Sequence, residues 1–120
     1  METIKIGLLG LGTVGTGVYR LLERQAEEIR NKTGVNTVID KVLVRNLSKV
    51  REGISPDILT DKPEDILNDP DIKIVVEVMG GIEPAYGYIK TALTSGKNVV
   101  TANKDLIAER GGELMDLAAD

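Results

Sequence analysis

The feature that most constrains the fold is a glycine motif that lies between an apolar stretch and an amphipathic stretch. Residues 4–9 are largely apolar and predict a buried strand. Gly10, Gly12 and Gly15 follow at the G-x-G-x-x-G spacing, and residues 13–30 have the apolar periodicity of a helix. A strand, a glycine turn and a helix in this order are the fingerprint of a dinucleotide-binding fold.

Each glycine of the motif has its own physical role. Gly10 allows the tight turn out of the strand, Gly12 lets a pyrophosphate approach the backbone, and Gly15 lets the helix lie close to the sheet. The N–H groups at the start of the helix and its positive dipole end then hold the phosphates. We therefore expect the cofactor to contact the residues of this turn, which are Gly10, Leu11, Gly12, Thr13, Val14 and Gly15.

The rest of the chain alternates predicted strands with predicted helices, which is typical of βαβ units in a parallel sheet. Further strands are predicted at residues 35–45, 58–60, 72–79 and 98–101, and further helices at residues 61–67, 83–95 and 113–119, with a helix or turn at 104–108. The buried face predicted for the first helix consists of Val14, Val18, Leu21, Leu22 and Ile29. A complete doubly wound sheet has about six strands. We therefore predict an α/β, Rossmann-type doubly wound parallel sheet, truncated before its last strand or strands, in which residues 1–120 form a single dinucleotide-binding domain of a longer protein.

The composition narrows the possible classes of function. The net charge is −4 and the chain contains no basic block, which argues against a nucleic-acid partner. The chain has no cysteine and no histidine, so disulfides and thiolate or imidazole metal sites are excluded, and no metal site is expected. No apolar run reaches membrane-spanning length and no signal-peptide pattern is present, so we expect a cytoplasmic protein without a membrane partner.

The type of cofactor is normally indicated at the end of the second strand, where an acid binds the ribose of NAD and an arginine accommodates the 2′-phosphate of NADP. This strand ends at Arg45 followed by Asn46, and the acid Asp40 lies in mid-strand. Arg45 is the candidate phosphate clamp, and the alternative is a solvated charge at a strand end. Lys62, after the short third strand, is a second candidate, but Lys49 competes with it and solvent exposure is the better interpretation for Lys62. The expected cofactor is NADP, with NAD as the alternative.

Two other loops leave the carboxyl ends of predicted strands, where open α/β sheets bind their ligands. Met79 and Gly80 lie at the end of one strand, and Thr101, Asn103 and Lys104 lie at the end of another. We expect these residues to contact the cofactor as well, because both loops face the same crevice as the glycine turn.

Two charged residues near these loops are candidates for chemistry. Lys104 is the only cation in its loop, and beside a nicotinamide it would polarise a carbonyl group or exchange a proton with an alcohol. The alternative is an ordinary exposed lysine. Glu77 lies inside an apolar strand, and we expect it to bond a backbone group or a neighbouring cation. The sequence indicates no further role for this residue.

Three blocks of this sequence resemble homoserine dehydrogenases. The glycine turn matches their G-x-G-x-V-G pattern, residues 75–85 resemble their VVE-x-MGG-x-x-PA block, and residues 101–108 look like their TANK-x-L-x-A block. The resemblance covers essentially the whole chain in the right order.

The resemblance implies an NAD(P)-dependent oxidoreductase that interconverts aspartate 4-semialdehyde and homoserine by hydride transfer, in threonine, methionine and isoleucine biosynthesis. Lys104 matches the family lysine that lies at the nicotinamide and is implicated in catalysis. Arg45 matches a family arginine, whereas Asn46 replaces the acid that often follows it, which favours NADP. A second lysine, the acids that hold the homoserine amine and most of the dimer interface are implied to lie in a further domain.

We therefore expect the 120-residue chain to be inactive alone and the full-length enzyme to be a homodimer or homotetramer. Two alternatives stay open. One is a related amino-acid dehydrogenase, for example of aspartate, against which residues 103–104 argue. The other is a nucleotide-binding regulatory module without catalysis.

Overall fold

The computed structural model describes residues 2–101 and 103–119. Within them, one parallel sheet contains five strands, which are β1 (Glu2–Leu9), β2 (Val35–Leu43), β3 (Leu59–Thr60), β4 (Ile72–Glu77) and β5 (Asn98–Thr101). Their order in the sheet is β3-β2-β1-β4-β5, with every neighbouring pair parallel. The chain moves outward from β1 to β3 and then returns past β1 to β4, so that loops diverge at the β1–β4 boundary and leave a crevice. The predicted Rossmann-type sheet is confirmed.

Helices cover both faces of this sheet. The described part of the chain forms α1 (Thr13–Thr33), α2 (Glu64–Leu67), α3 (Ala85–Thr94) and α4 (Lys104–Ala119). Neighbouring residues of β1 point to opposite faces, so Leu8 joins the cluster of Tyr19 from α1, and Leu9 joins the cluster of Ile66 from α2. Among the described residues, no helix is both long enough and apolar enough to span a membrane.

Helix α1 runs three residues beyond its predicted end at residue 30, and its predicted buried face is wrong in part. The helix stops at Gly34, which adopts the left-handed conformation with φ of 74°. Val14 and Leu21 are 58% and 45% exposed, whereas Gly15 and Tyr19 are the buried residues of the helix. The glycine turn fixes the rotation of the helix by pressing Gly15 against the sheet, and this rotation turns Val14 toward the crevice.

Helix α4 also differs from the prediction, because the structure contains one continuous helix where the pattern predicts two separate segments. The helix runs through Gly111 and Gly112, although each glycine costs a helix about 1 kcal/mol relative to alanine. Leu106 and Leu114 are buried and pack with Ile89 of α3. This packing, which the local sequence does not reveal, outweighs the poor helix propensity of the glycines.

The strands end close to the predicted positions at the carboxyl edge of the sheet. β2 ends at Leu43 and β4 ends at Glu77, each two residues earlier than predicted. The following residue of each strand still donates to its neighbour, since Val44 N–H bonds Thr60 O and Val78 N–H bonds Leu9 O. The loops that carry the candidate residues therefore begin at Arg45 and Met79.

Candidate functional site

A cavity of about 870 Å³ lies at the carboxyl edge of β1, β2 and β4. Its walls are formed by residues 10–14 of the glycine turn, residues 43–46 at the end of β2, residues 78–80 at the end of β4, and Tyr88 of α3. The volume lies within the range of about 300–1,000 Å³ that is usual for small-molecule and cofactor sites.

Gly10 makes the tight turn between β1 and α1. Its φ is 104°, a backbone conformation that residues with a side chain rarely adopt. Its N–H donates to Leu43 O at 3.1 Å. A Cβ at this position would lie 3.2 Å from Met79 Cγ and 3.3 Å from Met79 Cα. The turn therefore needs glycine both for its conformation and for the close approach of the loop after β4.

Gly15 and Gly12 serve different purposes, as their surroundings show. A Cβ on Gly15 would lie 2.5 Å from Gly10 O, so the helix is packed directly on the turn. A Cβ on Gly12 would meet no protein atom within 4 Å, although Gly12 lines the cavity. Gly12 caps α1 without a side-chain hydrogen bond, and the first turn contains no acid. The positive end of the helix thus faces an open cradle that fits a pyrophosphate.

The wall at the end of β2 is positively charged. Arg45, Lys49 and Arg51 line the cavity there, together with a single acid, Asp61. Arg51 Nη1 donates to Asn46 O and to Lys49 O, both at 3.0 Å, which folds the loop and fixes the guanidinium against it. Three cations against one carboxylate suit a phosphate better than an uncharged ribose.

The structure does not bring every candidate cation to this wall. Lys62 is exposed and lies outside the cavity lining, whereas its neighbour Asp61 lines the cavity. Asp40 also lies outside the lining, at an irregularity of the β1–β2 pairing. The sequence pattern does not single out Arg51, although a cation in a loop that leaves the carboxyl edge was an available signal.

A buried carboxylate connects the loops after β4 and β5. Glu77 is fully buried, and its Oε2 accepts the Met79 N–H at 2.7 Å while its Oε1 accepts the Thr101 hydroxyl at 2.5 Å. Asn103 Nδ2 donates to Glu77 Oε2 at 3.5 Å and to Gly81 O. The expected bond from Glu77 to a backbone group is confirmed, and the Thr101 and Asn103 contacts are additional.

Asn103 also begins helix α4. Its Oδ1 accepts the Leu106 N–H at 3.1 Å, which is the hydrogen bond of a helix N-cap. Lys104 is the first residue of the helix and is exposed, at the carboxyl edge but outside the cavity lining. A cation at the positive end of a helix is electrostatically unfavourable, so the stability of α4 does not explain this lysine. Ala102, which belongs to the same motif, lies outside the described residues.

Comparison with known proteins identifies the domain that carries this arrangement. The sequence profile of the family described as "Homoserine dehydrogenase, NAD binding domain" matches residues 10–120. The chain belongs to the homoserine dehydrogenase family. The family resemblance drawn from the three sequence blocks is therefore confirmed.

Individual homoserine dehydrogenases are similar over nearly all of the chain. The enzymes of Bacillus subtilis and Lactococcus lactis are 46% and 47% identical over 116 and 120 residues, which cover 96% and 97% of this chain. The crystal structure of S. aureus homoserine dehydrogenase at pH 7.0 is 47% identical over 99% of this chain, with a TM-score of 0.94. A hyperthermophilic archaeal homoserine dehydrogenase in complex with NADPH, 24% identical over 98% of this chain and 41% of its own, shares the fold with a TM-score of 0.76.

This homoserine dehydrogenase domain is much shorter than its relatives. The chain spans 27% of the B. subtilis relative, 28% of the L. lactis relative and 31% of the S. aureus structure. The sequence blocks that carry the resemblance converge at one edge of the sheet, where Glu77 from the second block bonds Thr101 and Asn103 from the third.

Proposed function

We propose that this homoserine dehydrogenase domain binds NADP in the cavity at the carboxyl edge of its sheet. The observation that carries the proposal is the open cradle at Gly12 beside a wall lined by Arg45, Lys49 and Arg51. The pyrophosphate would lie on the first turn of α1, and the 2′-phosphate would lie against Arg45 and Lys49. Met79 and Gly80, two of the predicted cofactor contacts, line this cavity. Gly15, Thr101 and Asn103 were also predicted as cofactor contacts but lie outside the lining, and we propose that they support the site.

We further propose that the longer protein interconverts aspartate 4-semialdehyde and homoserine. When bound, the nicotinamide supplies or accepts the hydride. Lys104 would move a proton at the substrate oxygen, because it projects from the edge of the sheet at which the cofactor site opens. The acids that hold the substrate amine would come from the remainder of the longer protein. An assembly of two or four copies is a proposal that rests on the family resemblance, and a cytoplasmic location stays the expectation drawn from the sequence.

The proposal is tested by titrating the chain with NADPH and with NADH, using the fluorescence of the dihydronicotinamide. We expect tighter binding of NADPH, and we expect Arg45→Ala to weaken NADPH binding by about ten- to 150-fold, since a hydrogen bond to a charged group contributes about 1.5–3 kcal/mol. The affinity for NADH should change little. Arg24→Ala is the matched control, because Arg24 is an exposed arginine of α1 outside the cavity lining.

Two outcomes would contradict the proposal. If neither dinucleotide binds, the cavity is not a dinucleotide site. If NADPH binds no tighter than NADH, or if Arg45→Ala leaves the ratio of the two affinities unchanged, the positively charged wall does not select the 2′-phosphate.

A further inference from the structure

We infer that Glu77 is a positioning residue, whose buried carboxylate holds the loops after β4 and β5 in the shape that binds the nicotinamide half of the cofactor. The inference rests on the proposed function, which places a dinucleotide in the cavity. Glu77 does not line the cavity itself, so it acts through the residues that it bonds.

The surroundings of Glu77 supply hydrogen-bond donors rather than a countercharge. The carboxylate accepts from the Met79 N–H, the Thr101 hydroxyl and the Asn103 amide. In residues 2–101 and 103–119, no lysine or arginine forms an ion pair with it. Burying a carboxylate costs much free energy even when it is hydrogen-bonded, and an apolar side chain would suit a strand core better. The residue is therefore better explained by what it arranges than by stability alone.

The bonds of Glu77 lead to both loops. The bond to the Met79 N–H fixes the first residue of the loop that contains Gly80, and Gly80 lines the cavity. The bond to Asn103 orients the side chain that also bonds Gly81 O and caps α4, so the same carboxylate fixes the position at which Lys104 leaves the sheet. One side chain thus couples the loop that contacts the cofactor to the loop that carries the proposed proton-transfer residue.

Lys97 provides a matched control at the opposite edge of the same two strands. It is 7% exposed, and its Nζ donates to Ile72 O at 2.7 Å and also to Asp69 O, which ties the start of β4 to the start of β5. Glu77 and Lys97 are therefore both buried residues with an ionisable side chain, and each of them bridges β4 and β5. Only the Glu77 bridge lies at the cavity edge.

The test compares two ligands on Glu77→Gln. The glutamine has nearly the same shape but no charge, and in either orientation of its amide an NH₂ group replaces one accepting oxygen. That group faces either the donors of Met79 and Asn103 or the Thr101 hydroxyl, which must then accept instead of donate. We expect the dissociation constant for NADPH to rise about tenfold, the factor that corresponds to losing roughly one charged hydrogen bond. The dissociation constant for adenosine 2′,5′-bisphosphate, which reproduces only the adenine half, should stay within about twofold, because the wall at Arg45 is untouched. Both constants are measured by isothermal calorimetry.

The controls separate positioning from general destabilisation. Lys97→Met should lower thermal stability but leave both dissociation constants unchanged. If Glu77→Gln does not fold, Thr101→Val is the second variant, because it removes the hydroxyl that donates to Glu77 and accepts the Asn103 N–H. It should show the same selective loss, which Thr101→Ser should restore. Equal weakening of both ligands, weakening of neither, or a selective loss in Lys97→Met would overturn the inference. If the wild-type chain binds neither ligand, the proposed function itself is wrong.

Discussion

Three glycines at the start of α1, of which Gly12 caps the helix and Gly15 and Gly17 lie in its first turns, should respond differently to the same substitution by alanine. A Cβ on Gly15 would lie 2.5 Å from Gly10 O and 3.0 Å from Gly10 C. A Cβ on Gly12 or on Gly17 would meet no atom within 4 Å. Gly12 lines the cavity, whereas Gly17 is an exposed residue outside it. The three substitutions therefore test packing and binding separately.

The magnitudes follow from these distances. Gly17→Ala should stabilise the domain by about 0.8–1 kcal/mol, which is the difference in helix propensity. Gly15→Ala gains the same propensity but must displace a backbone carbonyl, and overpacking of this kind costs about 1–3 kcal/mol. Because Gly10 O cannot rotate away as a side-chain atom would, we take the upper end and expect a net loss of about 2 kcal/mol. Gly12→Ala should cost about 1 kcal/mol or less, through the weaker N-cap preference of alanine.

Urea denaturation and NADPH titration of the same three variants provide the assay. Gly15→Ala should lose both stability and NADPH affinity, since the start of α1 moves off the turn. Gly12→Ala should lose mainly affinity, by about tenfold or more, because its methyl group enters the space for the pyrophosphate. Gly17→Ala should lose neither. Equal stability of the Gly15 and Gly17 variants would refute the packing argument, and undiminished NADPH binding by Gly12→Ala would refute the location of the pyrophosphate.

Two further predictions concern the loops and helices beside the cavity. In the longer enzyme that we propose, Lys104→Met should lower kcat for homoserine oxidation by about 10²–10⁴-fold, the usual contribution of a general acid or base, with little change in NADPH affinity. An unchanged kcat contradicts the proton-transfer role. The Tyr86 hydroxyl donates to Glu113 Oε1 at 2.5 Å, and this hydrogen bond raises the pKa of Tyr86. The contact therefore stabilises the α3–α4 pair fully below pH 10.0, and the stabilisation is lost as the pH rises through the folded-state pKa of Tyr86. In an absorbance titration of phenolate, Glu113→Gln should return the pKa of Tyr86 toward 10.0. Tyr19 is the internal control, because burial and Glu23 keep its pKa at about 12. A titration curve that is unchanged in Glu113→Gln contradicts the assignment of the raised Tyr86 pKa to Glu113.

The elements of the fold were predictable where local pattern and tertiary structure agree. The largely apolar stretches of β1 and β4 predict buried strands, and helices do cover both faces of the sheet. The pattern fails for α4, because Gly111 and Gly112 break the local signal while the packing of Leu106 and Leu114 on α3 restores the helix. The same limit explains Val14, whose exposure is decided by the contact of its neighbour Gly15 with the turn.

The candidate site was predictable in its chemistry but not in its connections. The rule that ligands lie at the carboxyl edge of a parallel sheet is enough to place Arg45 and Gly80 around one cavity. It does not distinguish Lys62 from Lys49, because the direction of a loop residue depends on how the loop folds. Arg51 fixes that fold through backbone carbonyls, which have no signature in the sequence.

Charged residues buried in or beside apolar strands are the sequence signal that connects the fold to the candidate site. Glu77 and Lys97 are both unexpected in buried positions, and the backbone explains which charge stands at which edge. Residues that follow β4 offer an N–H group, as Met79 does to the Glu77 carboxylate. The start of β4 offers carbonyl groups, as Ile72 does to the Lys97 ammonium. An acid at the end of a strand and a lysine at the start of one are therefore each matched to the backbone groups available there. Only the first kind lies at the edge of the sheet where we propose that the cofactor binds, so a buried acid at the carboxyl end of a parallel strand is the better guide to a positioning residue.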